Sequence, residues 1–497
     1  MWHTGKYLYL QDKTTKIEAE LNSCGSVDNL VQALPYPSAN RPPIRALPKK
    51  AQPLLFYIGF FSFLLLLFVI HSRMAETLAN LTRVNLRPAM ILLLVSLVVP
   101  LLLGTFVSRI YNQMGVVLVL LTGWFLMCVP TSFHKGGSVN HLLSYWISTL
   151  LLSLCAMAYA EDSKTLRRML YAIVAGTLVI VLARDGASAF SIGALGNPNL
   201  FGQHLLYTLP FILLVVFRHG LFSMRGILAS TFGAMVVGKV VFAGSRSALI
   251  ALCVVGAVTF FFLPFFRKLI FLALSIPLAL VVIALVPQQA LHRYSTIFNQ
   301  EKHDRVLTEE ELSAIESAAA RRHHLEQSIE LTFSYPLFGV GPGMFPVASA
   351  EASKKENERA LWRETHNSFT QISSETGIPG LALYLLIIVL TGGSLWKTLQ
   401  AGNRAKPGSE TSELGLIAGA LGCSLLSMII TGIFSSSAYL TYFPLLGCLA
   451  FGTARLSAAS LTQQAQQAQG VPAKPLPRMS ANPLNRPLPQ ARPAIRA

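Results

Sequence analysis

Apolar runs long enough to cross a bilayer recur about twelve times between residues 52 and 455 of this 497-residue chain, and they leave it few folds to choose from. They fall near 52–72, 88–107, 113–131, 141–160, 167–183, 200–217, 222–242, 247–265, 268–287, 377–396, 412–433 and 437–455. A hydrocarbon core about 30 Å thick takes roughly 20 residues of helix. Inside it every backbone N–H and C=O must find its partner in the protein, which selects helices. With 53% hydrophobic and only 13% charged residues, the chain cannot hide these runs in a soluble core. The expected fold class is all-α: a polytopic membrane protein with about 12 transmembrane helices.

Orientation follows from the cations, because loops rich in Lys and Arg stay cytoplasmic. With both termini inside, the short inner loops carry Arg109; Lys164, Arg167 and Arg168; Arg218 and Arg225; Arg267 and Lys268; and Lys397, Arg404 and Lys406. The short outer loops carry fewer, chiefly Arg73, Arg83, Arg87, Lys135 and Arg184. The large, partly helical segment 288–376 is then outside. The net charge of +17 reads as a topology signal with some attraction to anionic lipid, and not as nucleic-acid binding. Residues 1–51 form a proline-bearing cytoplasmic tail without an early apolar region, so the first span serves as its own insertion signal. Residues 457–497 open on a Gln/Ala run and become Pro-rich and basic, which predicts a disordered cytoplasmic tail. The six cysteines show neither a disulfide framework nor a zinc spacing.

The chemistry collects on the predicted outer side. Glu364-Thr-His366-Asn367 sets a titratable base directly before the apolar run that follows Glu375-Thr-Gly-Ile-Pro-Gly380. On a continuing helix, Thr370, Ser373 and Gly377 would share the His366 face. Upstream, Gly244-Ser-Arg246-Ser puts a cation at membrane depth, where it must be paired or reach water. Arg246 is therefore a phosphate-binding candidate, with a snorkelling anchor as the plainer reading. Lys239 is a weaker candidate of the same kind. Asn197 and Asn199, in Gly196-Asn-Pro-Asn, can bond sugar hydroxyls or cap a helix. Asn367 and Glu375 likewise stand as glycan-binding or structural residues.

In the outer segment, Leu325, Ile329 and Phe333 recur every four residues and predict a helix lying on protein or membrane, with Arg321 and Arg322 at its start. Those guanidinium forks match a diphosphate, while a solvated basic face is the alternative. The following Tyr335-Pro-Leu-Phe-Gly-Val-Gly-Pro-Gly343 lacks the strand and Gly-Lys-Ser/Thr of a nucleotide loop and reads as a tight turn. His323, His324 and Glu326 do not converge as metal ligands, because adjacent histidines diverge on a helix.

Together the Gly-Ser-Arg-Ser, Tyr-Pro-Leu-Phe-Gly-Val-Gly-Pro-Gly and His-Asn…Glu-Thr-Gly-Ile-Pro-Gly segments resemble the O-antigen ligase and O-antigen polymerase family of bacterial envelope polysaccharide glycosyltransferases. The resemblance covers roughly 50 to 455, giving a ligase-like transmembrane domain over 52–456 with a periplasmic loop at 288–376. It implies an enzyme of the bacterial inner membrane with its active site facing the periplasm. The implied partners are an undecaprenyl-diphosphate-linked glycan donor, a glycan or glycolipid acceptor, and the lipid bilayer. By motif position His366 looks like the catalytic histidine, and Arg246 and Arg321 like the diphosphate-binding arginines. Arg322 is the neighbouring alternative, since Leu325 stands where the family has an aromatic residue.

The implied reaction is a single inverting displacement without metal or cofactor: a histidine suits the base near neutrality, and two arginines can stabilise the departing diphosphate. Polymerisation of lipid-linked repeat units is one alternative to ligation. Transport of the lipid-linked glycan is another, although no internal repeat of the transporter kind is visible. A scaffold role for the basic tails is a third.

Overall fold

The computed structural model describes residues 52–75, 88–182, 197–263, 265–286, 288, 309–355 and 362–468. The N-terminal tail, the loop residues 289–308 and 356–361, and the Pro-rich stretch beyond 468 lie outside the described residues. All the described residues fall in one unit, Leu47–Ala497.

Among the described residues the regular structure is helical, with no strand. The helices run α1 Gln52–Ser72, α2 Pro88–Leu102, α3 Thr105–Ile110, α4 Gln113–Cys128, α5 Lys135–His141, α6 Ile147–Tyr159, α7 Ser163–Leu182, α8 Pro198–His219, α9 Met224–Phe242 and α10 Arg246–Phe262. They continue with α11 Phe265–Leu285, α12 Glu309–Ser334, α13 Phe345–Lys355, α14 Ser368–Arg404, α15 Glu410–Gly432 and α16 Tyr442–Ala468. A π-helical turn, Leu142–Trp146, joins α5 to α6. Among the described residues, nine stretches are long and apolar enough to cross a membrane, and three shorter apolar helices, Pro88–Leu102, Gln113–Cys128 and Arg246–Phe261, fall on further predicted runs. The protein is an all-α, polytopic membrane protein.

One core joins α1, α4, α6, α7, α14, α15 and α16 around Phe63, Leu67, Phe125, Trp146, Tyr159, Tyr384 and Phe443. A second lies between α8, α9 and α10 around Leu205, Val236 and Ala248. Outward, the surface is apolar: Leu280 on α11 is 63% exposed and Val389 on α14 is 66% exposed. Water does not tolerate such a belt at this density, and lipid does. Helices α14 and α15 cross backbone to backbone at Gly402 and Gly415, where an added Cβ at Gly402 would sit 2.4 Å from the Gly415 Cα.

Three expectations change. Helix α16 runs on to Ala468, so the Gln/Ala run is not a disordered tail; Ala and Gln are strong helix formers. That extension is tied to α15, with Thr411 Oγ1 2.9 Å from Ser460 Oγ and the Gln464 amide donating to Thr411 Oγ1 at 3.3 Å. Arg321 and Arg322 lie well inside α12, not at its start, because the helix already begins at Glu309. The face of α12 turned inward is also polar, with His324, Gln327, Ser328 and Thr332 buried, whereas Ile329 and Phe333 are exposed. Third, the single run predicted at 88–107 is broken into α2 and α3 at Gly104, which adopts φ 65°.

Candidate active site

Hydrogen bonds sort the polar residues to two ends of the bundle. At one end Arg167 of α7 and Arg218 of α8 both pair with Glu413 of α15, and Arg109 bonds Glu161 at 3.0 Å. Helices α8 and α14 run from the opposite end, where Asn199, Arg246 and His366 stand at or before helix starts.

His366 does not continue α14. It precedes the N-cap, Asn367, whose Oδ1 accepts from the N–H groups of Phe369 at 2.9 Å and Thr370 at 3.1 Å. The stripe expected through His366, Thr370, Ser373 and Gly377 therefore does not form, since Asn367 breaks the helical phase and Gly377 breaks it again. His366 adopts φ 55°, a left-handed conformation uncommon for a residue with a side chain. Its N–H donates to Ser436 Oγ at 2.8 Å, which helps hold it there.

The Ser435-Ser436-Ser437 run between α15 and α16 is the hub of this end. Ser368 Oγ donates to the Ser435 carbonyl at 2.6 Å and lies 3.0 Å from Ser437 Oγ. Gln203 of α8 takes the Ser435 hydroxyl at 3.1 Å and gives its amide to Ser437 at 3.0 Å. One helical turn earlier on α8, Asn199 accepts from Ser245 at 2.7 Å and from Ser247 at 3.3 Å. Polar contacts one helical turn apart on α8 thus tie that helix both to the Arg246 segment, through Asn199, and to the serine run that holds the His366 backbone, through Gln203. Asn197 caps α8 by accepting from the Asn199 N–H at 2.9 Å, and Lys239 sits half-buried in the last turn of α9.

Helix α12 closes another side through Thr332, 2.8 Å from Ser373. Arg321 lies within electrostatic reach of His366, as do His324 and Arg363. Burial first, and then the electrostatic effect of Arg321, His324 and Arg363, lower the His366 imidazole from its ordinary 6.5 to about 4. A lowered pKa favours the neutral imidazole near pH 7. Arg322 points elsewhere, exposed and paired with Glu326 at 2.9 Å.

Glu375 is buried and organises the glycine-rich turn. Its carboxylate accepts from the Gly343 N–H at 2.8 Å, the Phe345 N–H at 3.4 Å and the Tyr439 hydroxyl at 2.7 Å. The turn adds backbone bonds from Val340 N–H to the Ser374 carbonyl and from Gly341 N–H to the Glu375 carbonyl, both 2.9 Å. This requires α14 to break at Gly377, with φ 75° and ψ −178°, where a Cβ would lie 2.1 Å from the Leu337 carbonyl oxygen.

Residues 230–385 match the O-antigen ligase family. The match supports an O-antigen ligase/polymerase family assignment. It spans Lys239, Arg246, Arg321, Arg322, His366, Asn367 and Glu375, while Asn197, Asn199, Gln203 and the three-serine run lie outside it. No curated protein gives a significant match. The sequence reading passed over the serines, Gln203, Tyr439 and Arg363. A polar run between two apolar stretches, together with Asn199 and Gln203 at i, i+4, was the available signal for the first two.

Proposed function

We propose that the chain moves a glycan from a lipid diphosphate onto an acceptor hydroxyl, in the manner of an O-antigen ligase. The observation that carries this reading is a neutral, half-buried His366 set close to Arg321 inside the region matching that family. The acceptor oxygen attacks the anomeric carbon from the face opposite the diphosphate, forming the new C–O bond as the old one breaks with inversion. His366 takes the hydroxyl proton. Arg321 and Arg246 bind the diphosphate and stabilise the charge it gains on leaving, so neither a general acid nor a metal is needed. Arg246 stands at the first residue of α10, whose N-terminal N–H groups also favour an anion.

Donor binding would also tune the base. A diphosphate beside Arg321 offsets the guanidinium charge that depresses His366, so the imidazole becomes more basic once the substrate is in place. The site faces the periplasm of the bacterial inner membrane, and the donor glycan is carried on undecaprenyl diphosphate.

Purified protein, given lipid-linked glycan and unglycosylated acceptor, both extracted from cells that lack this chain, is expected to release free lipid diphosphate and a glycosylated acceptor, and to keep doing so with a chelator present. No transfer by folded protein would overturn the reading. Sizing the glycans of a deletion strain separates the two reactions of this class: long polymer stranded on the lipid means a ligase, and single stranded repeats mean a polymerase. The motif positions favour the ligase.

A further inference from the structure

His324 is the most anomalous polar side chain beside the site. It is 1% exposed, yet neither ring nitrogen has a hydrogen-bond partner among the described residues. Its ring centre is 6.4 Å from that of His366 and 6.3 Å from that of Phe345, which lines it edge to face. Arg321 precedes it by three residues on α12, so the two share a helix face. Gln327, the next residue on this face, is engaged by the Ser349 hydroxyl at 2.7 Å. Buried polar groups are nearly always satisfied, so one that is not requires an explanation.

The chemistry of the missing partner can be read from the ring. Burial lowers the pKa of the imidazole, while the Gln327 side chain is near enough to pull the other way without meeting either ring nitrogen in hydrogen-bond geometry, so the neutral ring presents one N–H donor and one acceptor nitrogen. A phosphate oxygen can take the N–H but leaves the acceptor nitrogen unmet, and Arg321 and Arg363, which lie near His366, are the stronger partners for a phosphate. The two ring nitrogens point apart, so one hydroxyl meets one of them, as donor or as acceptor, and neighbouring hydroxyls can meet both. Sugars carry several, and one must lie close to the anomeric carbon when His366 and Arg321 flank the reacting bond.

Resting on the assignment of His366 and Arg321 above, we propose that His324 is a specificity-determining residue that hydrogen-bonds a sugar hydroxyl beside the reacting centre. The hydroxyl belongs either to the donor glycan or to the acceptor. In both cases His324 reads the sugar and leaves the lipid diphosphate to the arginines.

The test uses full-length protein in lipid nanodiscs with two probes: the lipid-linked glycan extracted from cells lacking this chain, and bare undecaprenyl diphosphate. Wild-type protein is expected to bind the glycan-bearing lipid more tightly than the bare one. His324→Phe should shrink that ratio roughly tenfold, the worth of a neutral hydrogen bond, while binding of the bare lipid stays unchanged. His324→Gln, which keeps a donor and an acceptor, should recover part of it. An unchanged ratio with a similar rise in acceptor KM assigns the hydroxyl to the acceptor and supports the proposal equally. His324→Leu and His324→Gln carry the comparison if the Phe variant does not fold, as judged by elution profile and melting temperature.

The proposal is overturned if neither the ratio nor the acceptor KM moves, or if bare undecaprenyl diphosphate loses affinity as much as the glycosylated lipid. Failure of the parent reading looks different: wild-type protein would then transfer nothing, and Arg321→Ala would leave lipid binding unaltered.

Discussion

A left-handed histidine held by a serine hydroxyl, depressed in pKa and set near an arginine, is costly for a chain to maintain unless the arrangement does something. If His366 is the base, His366→Ala and His366→Gln insert and fold but lose at least two to four orders of magnitude in turnover; transfer by variants of unchanged melting temperature checks this. The pH profile follows from the sign of the shift. A base must be unprotonated, and lowering its pKa to about 4 moves the acid limb down, so kcat/KM should stay level from neutrality to about pH 5 and fall as the pH drops through about 4. Arg321→Gln removes a neighbouring positive charge and should move that limb up toward 6.5, though only part of the way because burial is the larger cause. Lysine at Arg321 or Arg246 should restore donor use only partly, since a point charge does not reproduce the bidentate fork.

At the scale of elements, the break in α14 decides the shape of the site. A 37-residue helix is longer than a bilayer requires, and Gly377 divides it into a short segment under the site and the long apolar run. With φ 75° and ψ −178°, Gly377→Ala should cost about 1–3 kcal/mol from the backbone alone, and more as the new Cβ meets the Leu337 carbonyl. Glu375→Ala strands the Gly343 N–H and the Tyr439 hydroxyl, at about 1–3 kcal/mol for each buried group left unsatisfied. Thermal unfolding in detergent measures both, and the site should loosen with the turn, so activity falls in parallel. Helix α12 is instructive in another way. Its repeat of Leu325, Ile329 and Phe333 was legible as a stripe lying on protein or membrane, and only the fold chose between the two: Phe333 is 72% exposed, so it does not lie on protein, and the buried face carries His324, Gln327 and Ser328.

For the whole molecule, the hydrogen-bonded ends give the topology a concrete test. The Arg167–Glu413–Arg218 cluster and the His366 site belong to opposite ends, so Lys164→Cys and Lys355→Cys, each in a cysteine-free background, should label differently. In intact spheroplasts an impermeant thiol reagent is expected to reach position 355 and not position 164; the reverse pattern would turn the site to the cytoplasm.

Helix type and approximate position were determined by the sequence alone, because hydrocarbon leaves helices as nearly the only solution for an apolar run and the runs are long. His366 and Arg246 were legible for a related reason: a charge or a base at membrane depth is expensive and so stands out. Tertiary structure decided which polar residues face one another. Only packing brings Arg321 within electrostatic reach of His366 and leaves Arg322 exposed and paired with Glu326, although the two are adjacent in sequence. Asn197, Asn367 and Glu375 carry groups that suit a sugar as well as they suit a backbone N–H, and the fold has given them to backbone. The three serines connect segments more than sixty residues apart, and a pattern read within one window cannot see contacts that exist only once distant helices have packed.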